Sequence, residues 1–436
     1  MHVLVPPSRP LAGVVRVPGD KSLGHRALLY AALRDGTCEL RGLGGGADLA
    51  ATAGALAALG VAIRRAPDGT VSVRGRGFDG VRPGGATLDC GNSGTTLRLL
   101  LGLLAGRPGG ATLDGDASLR RRPMERVAAP LRTMGARIRT TGGRPPVTVR
   151  GGALRGGEHH LQVASAQVKS ALLLAGLQAA GRTTVHEPGP SRDHTERALA
   201  RLGAPVGGVD GQVWVDGPVG DLGRGPLDLD VPGDPSSAAF LVAAALLVPG
   251  SDVRLEEVCL NPGRTGALEL WRRMGADLAW RAEREDALGE PVGWIRARAS
   301  ALGPGRLAGP ALVRAIDEVP VLAATAAAAG TELVVADAAE LRVKESDRLA
   351  TIAAGLRALG AAVDERPDGL AVRGGALAGG EVDGGGDHRI AMALFVAGLA
   401  ARGPVRVRGW GGVATSYPEF LPDLRRLGLA PAEATA

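Results

Sequence analysis

The sequence predicts an α/β protein of two similar domains, each holding three repeats around buried helices. Three observations carry that expectation. The phrases LAALGVAI, LRTMGARI, LARLGAPV, LWRRMGADL, LRALGAAV and LRRLGLA place a glycine at 60, 135, 203, 275, 360 and 428, so one unit of roughly 73 residues recurs six times. About 40 residues before each glycine stands an apolar stretch with a polar opening. VPGDKS at 17–22 returns as VPGDPS at 231–236, which divides six units into three plus three.

Each element of the unit has a local cause. The six recurring phrases read as ends of amphipathic helices, with the glycine in a left-handed C-terminal cap and an apolar strand start just beyond. The apolar stretches are DKSLGHRALLYAAL, GNSGTTLRLLLGLLA, SAQVKSALLLAGL, DPSSAAFLVAAALL, DEVPVLAATAAAA and DHRIAMALFVAGLA. Their Asp, Asn and Ser openings are good N-caps, and bodies apolar nearly all round predict burial. Short alternating segments such as TVSVRG, PVTVRG, QVWVDG and LAVRGG, rich in Val and bounded by Gly or Asp, predict half-exposed strands. If the apolar helices of a domain run roughly parallel, their N-termini pool positive potential on one surface.

Composition excludes several classes. The chain has 436 residues, 45% hydrophobic and 22% charged, too long for one ordinary core and typical of a soluble globular protein. No charge-free apolar run reaches a membrane span and the first 30 residues lack a signal-peptide pattern, so a cytoplasmic protein with no membrane partner is expected. Cys38, Cys90 and Cys259 lie far apart without CxxC spacing, which indicates neither a disulfide framework nor a zinc site. Net charge is +6, yet the basic residues are dispersed among acids and aromatics make up only 3%, which argues against nucleic acid. Only Lys21, Lys169 and Lys344 of the 51 basic residues are lysines. A lysine in such a chain marks a place where a compact ammonium is needed.

The helix openings carry more than capping requires. Arg389 stands at the N-terminal end of the sixth apolar helix, where a cation is unfavourable unless something negative lies before it. Lys21, Ser22 and Arg26 crowd the first opening, and the small residues Gly91, Ser93 and Gly94 of the second let backbone N–H groups approach a ligand. Arg120, Arg121 and Arg122 precede a proline, where the chain is extended and side chains can reach out. In LRVKESDRL, a helix would set Lys344 and Arg348 on one face, a like-charge pair unless an anion bridges them. Asp317, heading the fifth apolar helix, reads equally well as a plain N-cap. The inventory points to anionic ligands.

The same residues resemble a known family. VPGDKSxxHRA, GNSGTTxRLL, SLxxRPM, SAQVKSALLLAGL, PSRDHTERxL, NPGRTG, RVKESDRL, GDHRIAMA and ATSYPEF, in this order from about residue 8 to 428, are similar to the 5-enolpyruvylshikimate-3-phosphate (EPSP) synthase family. The resemblance implies an inside-out α/β barrel fold with three βαβαββ units per domain. It also implies two chain crossings near the VPGD copies, so that residues 19–230 form one domain and 1–18 with 231–436 the other. The active site is then expected in the interdomain cleft, closing on its ligands.

The implied reaction moves the enolpyruvyl group of phosphoenolpyruvate to the 5-hydroxyl of shikimate 3-phosphate, with no cofactor, no metal and a monomeric enzyme expected. Carried over by position, Lys21, Ser22, Arg26, Ser165, Ala166, Gln167, Arg192, Asp317 and Lys344 would hold shikimate 3-phosphate. Lys21, Gly94, Arg122, Gln167, Arg348 and Arg389 would hold phosphoenolpyruvate, and that anion would justify Arg389. Asp317 and Glu345 fit as the proton-transfer pair, with Lys21 helping phosphate to leave. Thr415 and Ser416 stand where the family often has a lysine. The related UDP-N-acetylglucosamine enolpyruvyl transferases typically have Lys-Asn at Lys21-Ser22 and a loop cysteine near Arg122, neither of which is present.

Overall fold

In a computed structural model, the described residues are 1–436 apart from Asp210, Pro431, Thr435 and Ala436. They form two units, one of Gly19–Val231 with Glu285–Glu290, the other of Met1–Pro18, Pro232–Arg284 and Pro291–Ala436. Six four-stranded sheets, three in each unit, share one pattern. In the second repeat, strand Thr87–Asp89 pairs in parallel with Gly110–Asp114, which pairs antiparallel with Arg144–Arg150, which in turn pairs antiparallel with Arg137–Thr141. Helix Gly94–Ala105 makes the crossover between the parallel strands, and helix Glu125–Thr133 leads into the hairpin. This is βαβαββ.

Three sheets borrow a strand from elsewhere in the chain. Leu227–Asp230 completes the first repeat by pairing in parallel with Asp35–Arg41. Ala12–Val15 does the same for the fourth beside Asp252–Cys259, and His2–Val5 joins the sixth beside Val405–Arg408. Each loan satisfies the backbone of a strand that would otherwise be an exposed edge.

The recurring phrases end helices as expected. Gly60, Gly135, Gly203, Gly275, Gly360 and Gly428 have φ of 92°, 112°, 76°, 98°, 94° and 97°. Only glycine takes such values without strain, so the repeat is a repeat of C-terminal caps.

At the centre of each unit lie three helices, Lys21–Leu33, Gly94–Ala105 and Ala166–Gly176 in one, Pro235–Leu247, Val319–Ala328 and His388–Gly398 in the other. Their side chains are buried almost throughout. Backbones approach closely, because a Cβ on Gly102 would meet Ala171 O at 2.2 Å. Small residues therefore set the helix spacing, and the sheets close around an apolar centre. Among the described residues no helix is long and apolar enough to cross a membrane.

One excursion breaks the halves. Strands Asp277–Glu285 and Pro291–Arg298 are neighbours in the fourth sheet, yet their connecting tip, Glu285–Glu290, groups with Gly19–Val231. There Glu290 Oε1 lies 2.8 Å from His194 Nδ1, both side chains 0% exposed, and Arg197 Nη1 donates to Gly289 O at 3.2 Å.

Candidate active site

In the unit Gly19–Val231, the openings of the three central helices are tied to one another. Arg26, only 3% exposed, donates from Nε to Thr195 Oγ1 at 2.8 Å, from Nη1 to Ser22 O at 3.0 Å and from Nη2 to Ser170 Oγ at 2.7 Å. It thus joins the first central helix to the third. Between the first and second run His25 Nδ1 to Thr52 Oγ1 at 2.7 Å, Thr52 to Thr96 at 2.6 Å, and Thr96 to Ser93 Oγ at 2.7 Å. Burial pulls the His25 pKa down to about 3, so this imidazole is neutral at physiological pH and serves the scaffold. Arg98, unremarked in the sequence, donates to Gln167 Oε1 at 2.6 Å while Gln167 Nε2 donates to Thr95 Oγ1 at 2.9 Å, fastening the second helix to the third.

These ties gather the expected residues. Asp20 caps the first helix through Leu23 N, leaving Lys21 and Ser22 in its first turn, and Lys21 Nζ lies 2.9 Å from Asp48 Oδ2. Ser93 caps the second helix ahead of Gly94, and Ser165 caps the third ahead of Ala166 and Gln167. A Cβ on Gly94 would stand 2.7 Å from Arg98 Nη1 and 3.2 Å from Arg122 Nη1. The expected extension holds at Arg122, with φ −80° and ψ 140°, whereas Leu119–Arg121 form a 3₁₀ turn and Arg120 turns away to Asp114 at 2.9 Å. Arg122, buried, donates to Asn92 Oδ1 at 2.5 Å. Arg192 is half-buried in the loop before helix His194–Arg201. Lys21, Ser22, Arg26, Gly94, Arg122, Ser165, Ala166 and Gln167 therefore share one end of the helix trio.

The other unit gathers carboxylates about one arginine. Arg348, 1% exposed, donates from Nε to Asp387 Oδ2 at 2.8 Å and from Nη2 to Glu345 Oε2 at 2.5 Å, and its Nη1 is 3.4 Å from Asp317 Oδ1. Burial alone would weaken the guanidinium's hold on its proton, but Asp387, Glu345 and Asp317 outweigh it and raise its pKa. Burial alone would likewise raise the pKa of Asp387, but Arg348 overcomes it and holds the carboxyl below its ordinary value. Arg389 Nη1 donates to Asp317 O at 3.1 Å, and its guanidinium is 3.9 Å from Asp317 Oδ2 and 3.8 Å from Glu318 Oε1. Beyond lies a buried chain not foreseen from sequence. Glu318 bonds Ser236 Oγ, and Arg264 Nη2 donates to Ser236 Oγ at 3.0 Å and Asp234 Oδ1 at 2.8 Å.

Three expectations are corrected here. Lys344 and Arg348 do not share a helix face, because a 3₁₀ turn ends at Val343, Lys344 is extended, and Asp347 caps a helix that begins only at Arg348. Lys344 instead lies 3.6 Å from Glu340, and burial of its ammonium lowers its pKa. Nor does Arg389 depend on a ligand alone for negative charge, since Asp317 and Glu318 face it. The plain-cap reading of Asp317 also fails: it is inside a 3₁₀ turn, and the N-cap of the fifth helix is Glu318, without a side-chain cap bond. Thr415 Oγ1 donates to Gly412 O at 2.7 Å in the turn Trp410–Thr415.

Six βαβαββ repeats with cationic and carboxylate side chains at the openings of buried helices define an α/β enzyme of the enolpyruvyl transferase type. The family model of EPSP synthase (3-phosphoshikimate 1-carboxyvinyltransferase) matches residues 5–424. The chain is 50% identical over 428 residues to the 3-phosphoshikimate 1-carboxyvinyltransferase of Halorhodospira halophila, covering 98% of this chain and 96% of that one. It is 49% identical to that of Acidithiobacillus ferrooxidans, covering 98% of each. The structure of EPSP synthase from Acinetobacter baumannii superposes with a TM-score of 0.87 at 41% identity, covering 100% of this chain and 99% of that one. The chain belongs to the EPSP synthase family.

Proposed function

We propose that Asp317 and Glu345 perform the proton transfers of the family's reaction, and that the helix-opening residues of both units bind its substrates. As a 3-phosphoshikimate 1-carboxyvinyltransferase, the chain transfers the enolpyruvyl group of phosphoenolpyruvate to the 5-hydroxyl of shikimate 3-phosphate and releases phosphate. The observation that carries the residue assignment is the meeting of Asp317 and Glu345 on one buried guanidinium, that of Arg348. Two carboxyls held by a shared cation are placed to act on neighbouring atoms of one anionic ligand.

In this reading Asp317 accepts the proton of the 5-hydroxyl as its oxygen bonds to C2 of phosphoenolpyruvate. Glu345 delivers a proton to the methylene carbon, making it a methyl group. The tetrahedral adduct then loses phosphate as the C2–O bond breaks and the methyl group returns a proton. Lys21, Arg122, Arg348 and Arg389 neutralise the departing phosphate and the substrate carboxylate, and Gly94 and Gln167 also contact phosphoenolpyruvate. Shikimate 3-phosphate is held by Lys21, Ser22, Ser165, Ala166, Gln167, Arg192 and Lys344, with Arg26 bracing the helices that carry them.

We read the chain as a cytoplasmic monomer acting on these two small anions. Phosphate release should need both phosphoenolpyruvate and shikimate 3-phosphate, and replacing the latter by UDP-N-acetylglucosamine should abolish it. Release with the nucleotide sugar instead would overturn the substrate assignment. Light scattering during gel filtration tests the monomer.

A further inference from the structure

We propose that Glu158, His160 and His186 bind one divalent transition-metal ion of the zinc class on the outer face of the third sheet. Strands Leu154–His160 and Ala179–His186 are parallel neighbours, and their register sets His160 opposite His186. Glu158, two residues before His160, shares that face, while His159 between them is buried on the other. The two imidazoles stack with centroids 4.2 Å apart and planes 13° from parallel, and Glu158 Oε2 is 3.7 Å from His186 Nε2. One ligand atom from each residue lies within 4.8 Å of the others. Bonds of about 2.0–2.1 Å in a tetrahedral site need ligand atoms roughly 3.4 Å apart, so modest side-chain rotations close the triangle.

Two further features favour an ion over a surface cluster of no consequence. His186 Nε2 is shut off from solvent and has no hydrogen-bond partner, an uncommon state that ligation would relieve. Two imidazoles with one carboxylate also suit Zn²⁺, Ni²⁺ or Cu²⁺, whereas Mg²⁺ and Ca²⁺ prefer all-oxygen sites. Gln212 lies opposite His186 on the next strand and offers an amide oxygen for a fourth position.

The location gives the ion a consequence. Leu161 N donates to His186 O at 2.9 Å, after which the chain runs directly to Ser165, and Glu187 next to His186 pairs with Lys169 of the third central helix at 2.7 Å. A bound ion therefore pins the strand end that leads into Ser165, Ala166 and Gln167 to the end of its neighbour strand, next to Glu187.

Isothermal titration of the untagged full chain with Zn²⁺ tests the proposal, paired with thermal unfolding at each metal concentration. One ion per chain should bind and raise the melting temperature, with Mg²⁺ doing neither. His160→Ala and His186→Ala should each weaken Zn²⁺ binding roughly tenfold or more, and Glu158→Gln by less. Phosphate release without added metal reports that the variants are folded. No saturable Zn²⁺ binding to the wild type overturns the proposal. So does unchanged affinity in the His160→Ala/His186→Ala double variant, which would place the ion elsewhere, for example at His2.

Discussion

Arg348 Nη2 lies 2.5 Å from Glu345 Oε2, so the proposed proton donor is bonded to a buried cation. A nearby cation favours the charged carboxylate, whereas protonating a carbon needs the neutral acid. In the proposed mechanism an anionic substrate engages Arg348 and so weakens its hold on Glu345. Glu345→Gln keeps the shape but has no transferable proton, and turnover should fall by roughly 10²- to 10⁴-fold. Arg348 retains Asp387 and Asp317, so the melting temperature should stay within a few degrees. Steady-state phosphate release and calorimetry read the two quantities separately.

Asp317 is not the N-cap of the helix that follows it, a place taken by Glu318. Asp317→Ala should therefore keep a near-normal melting temperature while turnover falls by roughly 10²- to 10⁴-fold, as for loss of a general base. Unfolding of this variant, or normal turnover, would remove Asp317 from the mechanism.

Asp387 carries structural load. It caps the sixth central helix through Arg389 N and bonds buried Arg348. Because its folded pKa is depressed, the stabilisation is present above the unfolded carboxyl value and is lost as pH falls through the folded one. Removing one member of a buried ion pair costs about 3–5 kcal/mol, so Asp387→Ala should unfold much earlier in denaturant. Its stability should also fall less steeply on the acid side than that of the wild type. Urea titrations at a series of acid pH values check both outcomes.

Gly94→Ala should act on phosphoenolpyruvate alone. Its methyl group would press on the guanidinium ends of Arg98 and Arg122, which can give way, rather than on backbone. The phosphoenolpyruvate KM should rise several-fold while the shikimate 3-phosphate KM and the melting temperature hardly move. Equal KM changes for both substrates, with lowered stability, would show that Gly94 serves packing instead.

What was legible in the sequence had a local cause. The six cap glycines and the five side-chain-bonded N-caps of the central helices follow from backbone geometry and neighbours within three residues. Even the error at Lys344 was local: Asp347, three residues before Ala350 whose N–H it accepts, is an ordinary cap signal that restarts the helix. Pairings across the chain were not legible. Lys169 is spent on Glu187 and Glu196, at 2.7 and 2.6 Å, a largely buried triad that no spacing announces. Arg98 reads as one cation in an apolar helix until Gln167 is brought beside it. The borrowed strands belong to the same class, since Leu227–Asp230 pairs with a segment nearly two hundred residues earlier.

The tip Glu285–Glu290 changes what the internal duplication means for anyone who would take the protein apart. The repeated VPGD phrase invites a cut near residue 231, yet a fragment of residues 19–231 would lack Glu290 and leave the buried imidazole of His194 without that carboxylate. The complementary fragment would carry six residues whose natural surroundings are missing. Co-expressed halves, or a circular permutation opened at the same point, keep all these residues within reach; a lone half does not. The ancestral modules still visible in the sequence are thus no longer interchangeable parts.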